Sequence, residues 1–364
     1  MNQFASLSQE DASLPIPEMR SVNVTLQSIG TSIELMYPSF DSAIRLSTGE
    51  SNEQSDSTTN GSSNFALDHQ EFRNSLSSEK GRNKNFLRVA KAEVETVSFL
   101  FPSVNASRIR ICMAAWLAAL CDIDDLVEAM CAEDAEASVS RAIGSLKGEE
   151  VTPDDLITPL QAYDVVRVID LFQAHCRKYL SAYEAEDFFA GVAGALEGLV
   201  QEQKFRQGLL AKELGQYLVI RAYTIGVSPS LSLLRSEYCP HGNLEKLQAI
   251  QIFLNILLGL QNDLIGLERD LESGEDMNAV IVLMKTMGNE SQEVTPITIL
   301  QAVHQAVAYH NDIFRRSLEL QQSHMRGENE LDPPDKFVAN AQLRLAETHL
   351  KWCLTSKRYQ VSMS

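Results

Sequence analysis

Two stretches of the sequence carry oxygen-bearing side chains where apolar ones are expected. The first, Asp122-Ile-Asp-Asp-Leu-Val-Glu128, follows eleven uncharged residues, Ile111 to Cys121. Asp124 and Glu128 are four apart and share one helical face, with Asp125 beside them. The second, Asn262-Asp-Leu-Ile-Gly-Leu-Glu-Arg-Asp270, follows the apolar run IFLNILLGLQ, and Asn262, Gly266 and Asp270 form one stripe. Carboxylates on a largely buried helix are costly unless paired or metal-bound. Amide and carboxylate oxygens suit a hard cation such as Mg2+. Taken singly, each stripe also reads as a helix end turning to solvent. Two of them on separate apolar helices suggest that they face each other and line the mouth of a cavity. A diphosphate held there by bridging Mg2+ ions would be neutralised and made a better leaving group. Such a site also needs fixed cations, for which Arg221, Arg269 and Arg358, with Tyr359 beside it, are the candidates.

The elements that must position these residues read as helices. Phe86, Val89, Ala90, Val94, Val97, Leu100 and Phe101 recur at three and four before Pro102, an amphipathic helix stopped by proline. Further helical blocks are predicted from Ser107 to beyond Met130 and over Pro159–Tyr183, Glu184–Gln203, Lys204–Thr224, Leu244–Glu272, Pro296–Met325 and Asp335–Lys357. Breaks fall at Gly148, Gly226–Pro229, Pro240–Gly242, Gly288 and Asp332–Pro334. The expected fold class is all-α, a helical bundle around a deep apolar cavity, in one domain over 85–364. Residues 1–84 are expected to be an arm, with a short helix within Val22–Phe40 and a disordered low-complexity stretch over 47–64.

In order and spacing these residues resemble the class I terpene synthases, the fungal, trichodiene-synthase-like type in particular. Asp124-Asp-Leu-Val-Glu128 is similar to the aspartate-rich DDxx(D/E) motif, and Asn262 to Asp270 to the NDxxSxxxE metal motif. Arg221-Ala-Tyr-Thr-Ile-Gly226 resembles the diphosphate-sensor segment at the family's helix break, and Trp352 to Tyr359 the terminal W…RY signature. Leu100-Phe-Pro-Ser103 also fits, and the resemblance runs from about Phe86 to Tyr359. It implies three Mg2+ ions, held by Asp124 with help from Glu128 and by Asn262 and Asp270, with Asp125 orienting a basic partner. It implies diphosphate hydrogen bonds from Arg221, Arg269, Arg358 and Tyr359. Thr224 and Ile225 would be the linker and effector positions that couple diphosphate sensing to ionisation. Two departures stand out: Gly266 replaces the motif's hydroxyl-bearing ligand, and Asp270 replaces its final Glu. The tail Gly274, Glu275 and Asn278 is retained.

The implied reaction is ionisation of a linear prenyl diphosphate and cyclisation of the allylic cation in a dry apolar pocket. Trp116, Phe188, Phe189, Tyr217 and Trp352 are candidates to stabilise the cation through their ring faces, with two or three of the five expected to meet the ligand. Released inorganic diphosphate, or a backbone carbonyl at the 224–226 break, would take the final proton. His175, His304, His310 and His349 are expected to be structural. Farnesyl diphosphate is favoured by the single-domain size. The small side chains around Leu117, Ala118, Leu120 and Cys121 leave room for geranylgeranyl diphosphate.

Composition limits the alternatives. With 31 Lys and Arg against 49 Asp and Glu, the net charge of −18 argues against nucleic-acid binding. The run Ile111–Cys121 is too short to span a bilayer. The N-terminus lacks a signal peptide's apolar core. Six scattered cysteines without a CxxC pair point to a reducing compartment, the cytoplasm. A second copy of the chain is a candidate partner. Asp122-Ile-Asp124-Asp125 spells DxDD, the class II cyclase acid motif, but those enzymes need a further helical domain. Prenyl-chain elongation needs two aspartate-rich motifs. A silent isoprenoid-binding protein and a helical interaction scaffold with solvated acidic faces are the competing classes.

Overall fold

A computed structural model describes residues 17–40, 59–76, 86–149, 160–240, 242, 244–287, 295–326 and 330–356. Arg358 and Tyr359, the predicted break at Gly288 and most of the low-complexity stretch, 47–58, lie outside them.

Among the described residues there are one β-hairpin and twelve helices. The hairpin is β1 (Glu18–Leu26) and β2 (Thr31–Ser39). The helices are α1 (Thr59–Leu76), α2 (Phe86–Leu100), α3 (Ser107–Glu128), α4 (Ala132–Leu146), α5 (Leu160–Cys176) and α6 (Ala182–Arg206). They continue with α7 (Leu214–Thr224), α8 (Ser228–Tyr238), α9 (Leu244–Ser273), α10 (Ala279–Met287), α11 (Pro296–Met325) and α12 (Pro333–Thr355). The fold is thus mostly helical, as expected. The described residues form two compact units that divide between Glu237 and Tyr238. One holds α1 to Glu237 of α8; the other holds the hairpin and everything from Tyr238 on.

In the first unit α3 is the central element, packed by α1, α2, α5 and α6. Its side chains from Ile111 to Ala119 are buried except Leu117. The helix ends at Glu128 rather than beyond Met130, and α4 starts afresh at Ala132. Helix α6 opens with a capping box: the Ser181 hydroxyl accepts from the Glu184 N–H at 3.3 Å, and Glu184 Oε2 accepts from the Ser181 N–H at 2.8 Å. The same carboxylate takes two parallel bonds from Arg108 at 2.9 and 2.7 Å. That fork locks the start of α6 to the start of α3. Burial pushes the Glu184 carboxyl up, and the bonds from Arg108 and Ser181 outweigh it, leaving it below its ordinary value.

The predicted block Lys204–Thr224 is split: α6 runs on to Arg206, and α7 begins only at Leu214. Helices α7 and α8 meet at a 52° bend. Gly226 sits there at φ +69°, a left-handed conformation that glycine adopts without a Cβ penalty. Pro229 follows in the first turn of α8, where its missing N–H costs nothing.

In the second unit α9 packs on α11 and α12, with α10 against α11. Helix α9 is long and apolar enough to cross a membrane, but 72% of its most apolar stretch is buried inside the protein. It ends at Gly274, φ +73°. The short helix expected within Val22–Phe40 is instead the antiparallel hairpin. Val24, Leu26, Ile33 and Leu35 are buried in alternation, a period of two, and Gly30 at φ +70° closes the turn. Residues 59–64 of the low-complexity stretch belong to α1.

Candidate active site

The first acidic stripe lies at the C-terminal end of α3. Asp124, Asp125 and Glu128 are all exposed. Asp124 keeps its access to solvent although protein atoms crowd its carboxyl. That crowding, then the like charges of Glu202 and Glu128, push it up to about 7, against the opposite pull of Arg221 and Arg206. Glu202 is buried and accepts from Arg206 at 3.0 Å, and Arg206 also reaches Glu128 at 3.4 Å. A carboxylate so loaded with negative neighbours gains from a divalent cation, and the all-oxygen donor set suits Mg2+. Asp122 faces elsewhere: it pairs with Arg73 of α1 at 3.3 Å, and Arg73 also reaches Glu93 at 3.3 Å. Burial lifts the Asp122 carboxyl, with Arg73 opposing.

The segment from Arg221 to Gly226 lies at the end of α7. Arg221 and Ile225 are half-buried, and Thr224 is buried with its hydroxyl oxygen lacking a hydrogen-bond partner. A buried hydroxyl without a partner is unusual in a folded protein. Two close approaches hold the break. A Cβ on Gly198 of α6 would come within 2.6 Å of Tyr223 Cβ, and one on Gly226 within 2.1 Å of Leu120 Cδ2.

Four aromatic rings of this unit form one cluster. Phe172 stands at its centre, with ring centroids 5.8 Å from Trp116, 5.7 Å from Phe188 and 6.0 Å from Phe189. Arg177 lies 5.2 Å over the Phe189 ring. Tyr217 is buried against Phe205, 6.0 Å away. The indole N–H of Trp116 donates to the Gly226 carbonyl at 2.6 Å.

The second stripe lies on α9 in the other unit. Asn262 is half-buried, and Gly266 and Asp270 are buried. The Asp270 carboxylate accepts from Arg269 at 3.0 and 2.5 Å and from Asn278 at 2.9 Å. Asn278 also donates to the Asp263 carbonyl at 2.8 Å, while Asp263 Oδ2 accepts from the Ala279 N–H at 3.1 Å. Asp263 therefore caps α10, and the retained tail serves to fix Asp270. Next to Asn262, Gln261 donates to the Ala346 carbonyl at 3.2 Å and meets His349 Nδ1 at 2.8 Å. This pins α12, on which Trp352 is half-buried, 6.2 Å from the His349 ring. Among the described residues no three His, Cys, Asp or Glu side chains converge into a closed metal site.

Glu202, Arg206 and Phe172 were not marked by their sequence setting. Glu202 and Arg206 stand four apart at the end of a helix, like any surface ion pair. Phe172 is one apolar residue in an apolar block.

Over residues 115–316 the chain matches the family described as terpene synthase family 2, C-terminal metal binding. Germacrene A synthase from Nostoc punctiforme is 24% identical over 227 residues, covering 60% of this chain and 65% of that relative's length. Among solved structures, 2-methylisoborneol synthase from Streptomyces coelicolor A3(2), in complex with Mg2+ and geranyl-S-thiolodiphosphate, has a similar fold. Its TM-score is 0.62 at 13% identity, over 83% of this chain and 93% of that one. Linalool/nerolidol synthase from Streptomyces clavuligerus, in complex with 2-fluorogeranyl diphosphate, gives 0.59 at 15% identity, over 81% and 94%. The match spans more than half of the sequence and includes both acidic stripes and the helix break, and the chain belongs to terpene synthase family 2.

Proposed function

We propose that this chain is a Mg2+-dependent cyclase that ionises a linear prenyl diphosphate and closes the allylic cation into a cyclic terpene. The observation that carries the reading is the rim of α3, where Asp124 stands among Glu128 and Glu202 and within the fields of Arg221 and Arg206. Asp124, Glu128, Asn262 and Asp270 are the residues that would hold Mg2+, three ions in all, with Asp125 orienting a basic partner. Bound there, the metal would neutralise the diphosphate and stabilise it as it leaves. Arg221 and Arg269 would donate hydrogen bonds to the same group, as would Arg358 and Tyr359. Thr224, with its free hydroxyl, would relay the arrival of the diphosphate through Ile225. Phe188 and Phe189 would shield the cation from water and face it with their rings.

Farnesyl diphosphate is the favoured substrate on catalytic length, over 85–364, which would make the product a sesquiterpene. The small side chains before Asp124 would also admit geranylgeranyl diphosphate and a diterpene. The fungal-type reading rests on the spelling of the motifs, and the relatives named above are bacterial. Cysteine usage favours the cytoplasm. The test is incubation of the protein with Mg2+ and C10, C15 or C20 diphosphates. Inorganic diphosphate and volatile cyclic products, absent when EDTA is added, are the expected result.

One observation favours a silent binding protein. Both Asp270 oxygens already have partners, and Gly266 offers no hydroxyl. In that case no chain length would release diphosphate, and Gly266→Ser would restore turnover.

A further inference from the structure

Trp116, Leu120 and Asp124 are spaced i, i+4, i+8 and form one stripe of α3 about 12 Å long. Each meets the end of α7. The Trp116 indole N–H donates to the Gly226 carbonyl at 2.6 Å. Leu120 packs so tightly on Gly226 that a Cβ there would lie 2.1 Å from its Cδ2. Asp124 lies in the field of Arg221, five residues before that glycine. The indole is 2% exposed and held within the ring cluster by Phe172, 5.8 Å away. A buried N–H···O=C bond on a helix break is costly to lose, because it leaves both groups unpaired away from water.

We propose that Trp116 is a positioning residue: its indole N–H makes the Gly226 carbonyl the fixed pivot of the α7–α8 break, so that movement of Arg221 toward an anion is referred to the stripe bearing Asp124. The assignment goes beyond a ring face offered to a cation, since the part of Trp116 that matters is its N–H. It rests on the proposed diphosphate chemistry for its consequences in turnover, but not for the bond itself.

Two measurements separate these levels. The chain has only two tryptophans, Trp116 and Trp352, so 15N-tryptophan labelling gives two indole resonances that one variant assigns. In the wild-type protein the Trp116 indole proton should exchange slowly. Its resonance should shift when Mg2+ and inorganic diphosphate are added together. A Trp116 proton that exchanges freely, or a resonance indifferent to that addition, overturns the proposal even if no prenyl diphosphate is turned over.

Trp116→Phe keeps an aromatic ring and removes the N–H. Its kcat should fall about tenfold with KM within about twofold, and linear alcohols should take a larger share of the product. Loss of stability alone would not move the product ratio of the folded enzyme. Wild-type kcat and product ratio in Trp116→Phe would mean that the ring, not the N–H, does the work. If the variant does not fold, the labelled wild-type protein decides.

Discussion

At Asp124 two opposing fields meet. Crowding by protein atoms first, and then the charges of Glu202 and Glu128, push its carboxyl up to about 7, against the pull of Arg221 and Arg206. A divalent cation would relieve that repulsion, so the residue matters through its oxygens rather than its fold. Asp124→Ala and, on the other stripe, Asn262→Ala are each expected to cut diphosphate release by about 100-fold or more, with far-ultraviolet circular dichroism unchanged. Full activity in either variant would refute the ligand assignment. The acidic residues were legible because charge on an apolar helix is conspicuous. Their modifiers were not: nothing in the sequence marks Glu202 or Arg206, and only folding brings Arg206 to both Glu202 and Glu128. The indole N–H of Trp116 was equally hidden, since a sequence shows the ring but not the carbonyl 110 residues away to which it is bonded.

Helix α6, which carries Phe188, Phe189, Glu202 and Arg206, also serves the site through its packing. Its glycines at 191, 194 and 198 recur on one face, where they read as weak points of a helix. They face the bend instead, and Gly198 lets Tyr223 approach. Gly198→Ala should therefore destabilise the protein by about 1–3 kcal/mol, the usual cost of forcing extra volume into a packed contact. The thermal transition checks this, with Gly215→Ala as a control, because a Cβ there meets nothing within 4 Å. Long helices such as α9 and α11 were plain from periodicity alone. The hairpin was not, because a period-two pattern over nine residues competes with a helical one in a short amphipathic segment. It is held by side chains distant in sequence. Asn311 accepts from the Met36 N–H and donates to the Glu34 carbonyl, both at 3.0 Å, taking the place of a third strand. Ser28 N–H donates to Glu268 at 2.5 Å, and Phe40 N–H to Glu347 at 3.3 Å. Asn311→Ala removes two of these bonds at once. Amide exchange at Met36 should rise about tenfold, the effect of roughly 1.4 kcal/mol, and an unchanged rate would show that packing alone seats the hairpin.

Each unit of the molecule carries a histidine that folding keeps neutral, which sets how the whole protein responds to acid. His310, fully buried on α11, is lowered to about 4 by burial, with its bond to Asn311 opposing. His175, on α5, is lowered to about 4 by burial first and then by His69 and Lys178. Both keep a buried Nε2 with no hydrogen-bond partner, so a proton there would charge a group that nothing nearby could solvate. In the unfolded chain both would titrate near 6.5. A depressed histidine favours folding fully above that value. The contribution falls as the unfolded state gains its proton first, and is gone below about pH 4. At pH 5 each residue should have cost about 2 kcal/mol relative to pH 7 and above, the product of 1.5 pH units and about 1.4 kcal/mol per unit. Denaturant unfolding at pH 7 and pH 5 should show that loss. His310→Gln should flatten the pH dependence by about half of the histidine contribution, whatever it does to stability at pH 7. Because the two groups belong to different units, His310→Gln should act on the unit from Tyr238 onward and spare the loss at His175. Amide exchange on α5 should therefore keep its wild-type acceleration between pH 7 and pH 5, after correction for the intrinsic exchange rate. Equal unfolding free energies at the two pH values would mean that water reaches both rings in the folded protein, and would remove the burial on which this linkage depends.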